Sequence, residues 1–372
     1  MRPTRVEIDL SAIRHNLELI RTRTKGMIMM AIKADAYGHG AEAVGRFVQE
    51  KSLTDMLGVS SIEEGIQLRK AGIRLPILVF GLITTSIDDV DAVFSYDLLP
   101  TVADMSPIES IVKGSRRWNR PIRVHVKTDT GMGRLGLPPE KALEVIKHIV
   151  GLPEIIISGL YTHFPVSDVA SHNFTSGQIR KFIGLSNKLA SLGIDVGLRH
   201  CANSGAIINH PESFMNMVRP GILCYGLYPS DTMPKELDVR PAMTLKTGIM
   251  FVKRVKKGTG LSYGLTYRPK QATNIATIPI GYADGYSRSL SNISKVLIAG
   301  KMYPVVGRIC MDQTLIDLGE DTYPVGCDVI MFGKDSITAA TVASWCGTIP
   351  YEVTCDMSRR VPRMYSENSS IT

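Results

Sequence analysis

The chain has 372 residues, 44% of them apolar, and its 43 lysines and arginines outnumber 35 aspartates and glutamates for a formal net charge of +8. That is room for two modules or a barrel with an appendage, and a composition that excludes disordered and fibrous classes. The longest apolar runs are too short to span a bilayer, and Met1 to Leu10 holds no signal-type hydrophobic segment, so a soluble cytoplasmic protein with no membrane partner is expected. The basic residues are scattered rather than gathered into an arm or an aromatic-interleaved patch, which argues against nucleic acid and for a small anionic ligand. The densest clusters, Lys113 to Arg123 and Lys253 to Lys257, read as solvated faces. Six cysteines at positions 201, 224, 310, 327, 346 and 355 show neither metal-ligand spacing nor a disulfide framework, so no metal is expected and they read as reduced core residues.

A short strand at Arg5 to Leu10 precedes a helix that Ser11 can cap, with Ile13, Leu17 and Ile20 on one face. Eight strand-like runs follow, at Met27 to Lys33, Met56 to Ser60, Pro76 to Phe80, Leu98 to Val102, Ile122 to Lys127, Ile155 to His163, Val196 to Cys201 and Asn216 to Arg219. Helical signatures lie between them: a capping box at Ser61 to Glu64 closed by Gly72, a helix opened by Pro138-Pro139, and another from about Ser176 to Leu192 stopped by Gly193. Parallel strands need helical crossovers, and this alternation predicts a (β/α)8 TIM-like barrel, with a doubly wound open sheet as the alternative.

After Tyr228-Pro229-Ser230 the text changes. A proline- and charge-rich linker leads into short alternating runs at Thr247 to Val255, Ile275 to Ile280, Lys295 to Ile298, Met302 to Val306 and Ile309 to Leu318, with Ala299-Gly300 as a tight hairpin turn. The expected fold class is α/β, a barrel domain over residues 1–235 followed by a mostly β domain over 236–372. The first few residues are candidates for packing with the second domain, and the tail after Tyr365 is expected to fray.

In a barrel the chemistry sits where the strands end. The first apolar run delivers Lys33 into an Asp-Ala-Tyr-Gly-His-Gly turn, and an amine there is desolvated and partly neutral, as a Schiff-base nucleophile requires. A lysine at a strand end also commonly snorkels, so the other strand ends decide. They are polar throughout: Lys127 to Arg134, Thr162-His163, Asn203-Ser204 and Arg219-Pro220-Gly221. Taken singly, His163 reads as a core histidine, Ser204 as a helix cap and Arg219 as an ion-pair partner. Together, Ser204 and the amides after Gly221 can bind a phosphate while Lys33 reaches a carbonyl, and a phosphate plus an aldehyde describes pyridoxal phosphate (PLP).

The segments AIKADAYGHG, KTDTGMGRLG, HCANS, VRPGILCYG, SYG, IPIGYADG and GRICMDQ occur in this order across nearly the whole chain. Together they closely resemble the alanine racemases of the barrel-type, fold type III PLP-dependent family. The resemblance implies that Lys33 anchors PLP and is one catalytic base, and that Tyr263 of a partner subunit is the second, in a homodimer with shared sites. It implies phosphate contacts for Tyr37, Ser204 and the Gly221 and Ile222 amides, with Asn203 beside them. Arg219 falls at the pyridine nitrogen, with His163 as a neighbour. Arg134 falls on the substrate side, and Tyr282, Met311 and Asp312 fall on a pocket wall given by the partner. Lys127 matches a position that can be carbamylated in relatives, where it helps fix the arginine corresponding to Arg134. The implied role is conversion between L- and D-alanine, supplying D-alanine for bacterial peptidoglycan.

One departure stands out. Where relatives are expected to read Ser-Tyr-Arg-Val-Pro-Arg with the tyrosine at the phosphate, this chain reads Ser358-Arg359-Arg360-Val361-Pro362-Arg363. Arg359 then either pairs with the phosphate or turns to solvent, which leaves a broad-specificity amino-acid racemase acting on serine or lysine as the alternative. A barrel-type decarboxylase is disfavoured by Arg219, where a carboxylate would be expected, and a single-barrel PLP carrier by Tyr263 and the second domain.

Overall fold

The computed structural model describes residues 2–334 and 336–367; the end of the tail expected to fray lies outside them. Strand β1 (Arg5–Asp9) runs into a helix over Leu10–Thr24. The cap is Asp9 rather than Ser11: its carboxylate accepts from the Ala12 amide at 3.1 Å and from the Ser11 hydroxyl at 2.5 Å. A carboxylate two residues upstream reaches the open amides of the first turn and carries charge suited to the helix dipole.

The eight runs form β2 (Met27–Ala31), β3 (Met56–Val59), β4 (Ile77–Leu82), β5 (Leu99–Val102), β6 (Ile122–Lys127), β7 (Ile155–Tyr161), β8 (Leu198–His200) and β9 (Met217–Val218). Neighbours pair in parallel from β9 through β2 to β8. The Asn216 amide donates to the Arg199 carbonyl at 3.2 Å and the Arg219 amide to that of Ala202 at 2.8 Å. Those two bonds join the last strand to β8 and close the barrel. Strands buried on both faces explain the near-continuous apolar runs. Met29, Met56, Leu78, Leu99, Tyr161 and Met217 form a cluster of their own that fills the interior, while Met30 and Leu57, one residue out of phase, pack in the main core.

A second, nine-stranded sheet runs β11-β12-β15-β14-β13-β16-β10-β1-β17, where β10 is Met243–Gly248, β11 Phe251–Val255, β12 Thr273–Ile278, β13 Lys295–Ile298, β14 Lys301–Val306, β15 Thr314–Gly319, β16 Asp328–Phe332 and β17 Arg363–Ser366. The run expected as one strand from Thr247 breaks at Ile249-Met250 into β10 and β11. Ala299 (φ 46°) and Gly300 (φ 79°) make the hairpin turn between β13 and β14. Two short helices, Ala339–Cys346 and Pro350–Cys355, were not anticipated and bring residues 349–355 to the barrel mouth. Of the six cysteines, which are free thiols, only Cys201 and Cys224 are buried; Cys355 is exposed.

Candidate active site

A cavity of about 580 Å³ opens at the carboxyl ends of the barrel strands. It is lined by ten of the residues singled out in the sequence: Lys33, Tyr37, Lys127, Arg134, His163, Asn203, Ser204, Arg219, Gly221 and Ile222.

Lys33 enters it from an unusual piece of backbone. After β2 the chain makes a left-handed helical turn in which Ala34, Asp35, Ala36 and Tyr37 all have φ between 51° and 57°. For residues with a Cβ this costs roughly 1–2 kcal/mol each, so about 4–8 kcal/mol is stored beside the amine. Tertiary contacts hold it. Glu64 accepts from the Ala34 amide at 2.7 Å, Asp35 from the Ala41 amide at 2.8 Å, and Arg363 donates to the Gly38 carbonyl at 3.2 Å. The buried His39 ring places Nδ1 3.0 Å from both the Ala36 and Tyr37 carbonyls. Glu64 therefore does not complete the expected capping box: Ser61 caps the Glu64 amide, but the Glu64 carboxylate binds the Ser60 amide and hydroxyl as well as Ala34. Burial first, then the Arg134 charge, lowers the Lys33 pKa.

Tyr37 reaches over Gly221, where a Cβ would lie 2.4 Å from the phenol oxygen. Ser204 Oγ accepts from the Gly221 amide at 2.9 Å and from the Leu223 amide at 3.4 Å. Asn203 caps the short helix Ser204–Asn209 through the Ala206 amide and accepts from Ser167 at 2.6 Å. Hydroxyls and amides thus converge on one side of the cavity, the donor set a phosphate takes.

Arg219 is 5% exposed, and its four Nη hydrogens are engaged: Nη1 with His200 Nδ1 (2.9 Å) and the His200 carbonyl (2.6 Å), Nη2 with the Thr162 (2.6 Å) and Cys201 (3.2 Å) carbonyls. Among the described residues nothing accepts from Nε, which is left for a ligand. Burial lowers its pKa to about 10, so the charge persists at neutral pH. Lys127 lies 4.6 Å from the Tyr161 ring centroid, and no described carboxylate comes within ion-pairing distance. Burial, then Arg219 and Arg134, lowers its pKa to about 7. His163 is held neutral by burial and by the Arg219, Lys127, Arg134 and Lys33 charges. Asp129 shapes the loop bearing Arg134 by accepting from three successive amides, Gly131, Met132 and Gly133, at 2.7–2.8 Å. Four cations face the cavity against one lining carboxylate, Asp168. That excess suits an anionic ligand, so amine, phosphate cradle and free Arg219 donor together fit PLP by the chemistry of the donor set.

Five expected residues lie elsewhere. Arg359 faces a shallower groove with Asp35, Glu64 and Arg363 rather than the cavity. The tyrosine from this C-terminal region that stands in the cavity wall is Tyr351, its ring 5.9 Å from that of Tyr37. The sequence reading missed it; its signal was Pro350, which opens a helix and puts Tyr351 in the first turn. Tyr263, Tyr282, Met311 and Asp312 are on the second sheet's loops and are exposed, Tyr263 at 70%. The Tyr282 amide bonds the Cys310 carbonyl, Asp312 accepts from Arg360 at 2.6 Å, and Ser262 Oγ donates to the Arg308 carbonyl at 2.5 Å, so the three loops are tied together. Ser262, just before Tyr263, has φ 59° and ψ −176°, a region almost confined to glycine and a mark of functional strain.

Residues 8–229 match the family model "Alanine racemase, N-terminal domain" and residues 242–365 match "Alanine racemase, C-terminal domain". The chain belongs to the alanine racemase family. Among curated members of that family, the alanine racemase of Methanococcus maripaludis is 44% identical over 98% of both chains, and that of Desulforamulus reducens 43% identical over 98% of this chain and 99% of its own. The solved alanine racemase of Clostridium difficile 630 superposes with a TM-score of 0.93 at 41% identity, covering 99% of this chain and 97% of that one. The Bacillus anthracis alanine racemase with bound L-Ala-P gives 0.90 at 34% identity, covering 100% and 96%. The family is one of isomerases, and the barrel and appended β sheet are its fold.

Proposed function

We propose that this protein is a PLP-dependent racemase that interconverts L- and D-alanine in the cytoplasm as a homodimer with shared sites, furnishing D-alanine for peptidoglycan. The division into domains at residues 1–235 and 236–372 goes with this reading. The observation that carries it is the meeting, in one cation-rich cavity, of the desolvated Lys33 amine, the Ser204–Gly221–Tyr37 cradle and the unpaired Nε of Arg219.

When bound, PLP supplies an electron sink that acidifies the Cα–H of the amino acid attached to it. The residues do the rest. Ser204, Tyr37, the Gly221 and Ile222 amides and Tyr351 hold the phosphate, with Asn203 fixing the turn. Arg219 Nε donates to the pyridine nitrogen, and His163 beside it stays neutral. Inversion needs a base on each face of Cα, one taking a proton and the other returning one. Lys33 Nζ serves one face. Tyr263, exposed in its own chain, serves the other in the partner subunit, where Tyr282, Met311 and Asp312 complete the wall and Arg134 binds on the substrate side. Lys127 is the group for carbamylation: its neutral amine adds CO2 and releases a proton, turning an uncompensated buried cation into an anion between Arg134 and Arg219.

The broader-racemase reading was motivated by Arg359 in either orientation; that side chain faces a groove off the cavity, and Tyr351 stands in the wall. The test is chiral chromatography after incubating protein and PLP with L-alanine, L-serine and L-lysine separately. D-alanine as the dominant product supports the proposal; comparable racemisation of serine or lysine replaces it with the broader one.

A further inference from the structure

The Arg219 contact to His200 is not the end of its hydrogen-bond chain. His200 Nε2 lies 2.9 Å from Nδ1 of His125, on β6, and both rings are buried. Arginine has only donors, so His200 Nδ1 must be the acceptor and its proton must sit on Nε2. That proton points at His125 Nδ1, which must in turn be an acceptor. Both rings are therefore neutral Nε2–H tautomers, and burial, followed by the Arg219 charge, depresses the basicity of both.

The barrel makes room for this ring. Strand β7 carries an extra residue opposite His125, the register passing from Val124↔Ile157 to His125↔Gly159, and a Cβ at position 159 would lie 2.3 Å from His125 Nδ1. A bulge re-aims side chains and a glycine admits close approach, so bulge and glycine together form a slot for one imidazole. Tyr161 then stacks on His200 at 5.0 Å with 7° between planes.

We infer that His125 is a positioning residue for the reaction: by accepting from His200 Nε2–H it selects the His200 tautomer that binds Arg219, and so holds the guanidinium with Nε toward the cavity. This rests on the function proposed above. Without the His125 acceptor, the buried His200 Nε2–H loses its partner. The alternative tautomer would then oppose an N–H to Arg219 Nη1–H.

Two variants test it. His125→Leu removes the acceptor, while His125→Asn keeps an oxygen near the Nδ1 position. Nitrogen-15 NMR of the His200 ring in the PLP-loaded protein is expected to show Nε2–H in the wild type and a mixture in His125→Leu. Turnover of alanine is expected to fall about tenfold in His125→Leu with KM nearly unchanged, and to recover largely in His125→Asn, in the range seen when a group orienting an active-site ligand is lost. A wild-type His200 protonated on Nδ1 overturns the inference, as does a His125→Leu protein with wild-type turnover. If His125→Leu does not fold, the wild-type ring assignment and His125→Asn decide the matter: Nε2–H on His200 with largely retained turnover in His125→Asn supports the inference, and Nδ1–H or a loss of about tenfold in His125→Asn overturns it. A wild type that racemises nothing overturns the functional reading, and the ring assignment still decides this one.

Discussion

Lys127→Met removes a charge that the folded protein holds at a loss. The methionine keeps the length of the side chain against Tyr161, while the ammonium is 4% exposed and has no described anionic partner within ion-pairing distance. Its pKa falls from 10.5 to about 7 on folding. At 1.36 kcal/mol per pH unit this amounts to about 5 kcal/mol that the wild type forgoes at or below pH 7, where both states carry the proton. Between pH 7 and 10.5 the folded protein has released the proton and the unfolded chain has not, so wild-type stability rises with pH through that window. Urea unfolding in CO2-free buffer should therefore show Lys127→Met the more stable protein at pH 6 by several kcal/mol, with the gap narrowing by roughly half at pH 9. Adding bicarbonate at pH 8 should narrow it for the wild type alone, because carbamylation consumes the neutral amine. A gap that does not change with pH, or a variant less stable at pH 6, would refute the reasoning.

Other perturbations separate roles. Tyr263→Phe touches an exposed side chain, so its melting temperature should match the wild type while racemisation falls about 10²–10⁴-fold, the usual contribution of a positioned acid-base group. Mixing that chain with Lys33→Ala should restore partial activity through heterodimers, and no recovery would mean the sites are not shared. Arg219→Glu should raise transamination relative to racemisation, read as pyruvate against D-alanine; an unchanged ratio would sink the idea that its charge sets the partition. Gly38→Ala puts a Cβ 1.9 Å from the Thr354 carbonyl oxygen at φ 82°, so it should destabilise by more than 2 kcal/mol in roughly the manner of other strained or overpacked sites, and should lower the amount of soluble protein.

The barrel was readable because most of its buried parallel strands are written as largely apolar runs separated by helical signals, and each of the eight falls within two or three residues of its expected place. Lys33 was readable for the same reason, as the first polar residue after Met27 to Ile32. The left-handed turn that carries it was not: Ala34, Asp35, Ala36 and Tyr37 have no local preference for positive φ, and the contacts that impose it come from Glu64 and Arg363, far along the chain. Of the two orientations open to Arg359, the structure has the one away from the cavity, and the side chain that reaches the cavity instead, Tyr351, depends on a helix at Pro350–Cys355 that short β-like text around it conceals. His125 and Gly159 looked like ordinary strand residues; only the bulge, which has no sequence signature, makes them a pair.

The position of β1 bears on how the protein is made. Val6 and Ile8 are buried between Leu245 and Met243 of β10 on one side and Arg363 and Tyr365 of β17 on the other. Strand β1 leaves the ribosome ahead of its parallel neighbour β17 by the whole of the chain between them. At roughly 5–20 residues per second, the wait is on the order of tens of seconds. Through that interval the nascent barrel trails a strand with one apolar face and an edge of unpaired amides and carbonyls, a hazard for association with other chains. The β1–β17 joint then closes only after β17 emerges, and ribosome-bound chains halted before Arg363 should hold a formed barrel whose β1 strand is still sensitive to protease.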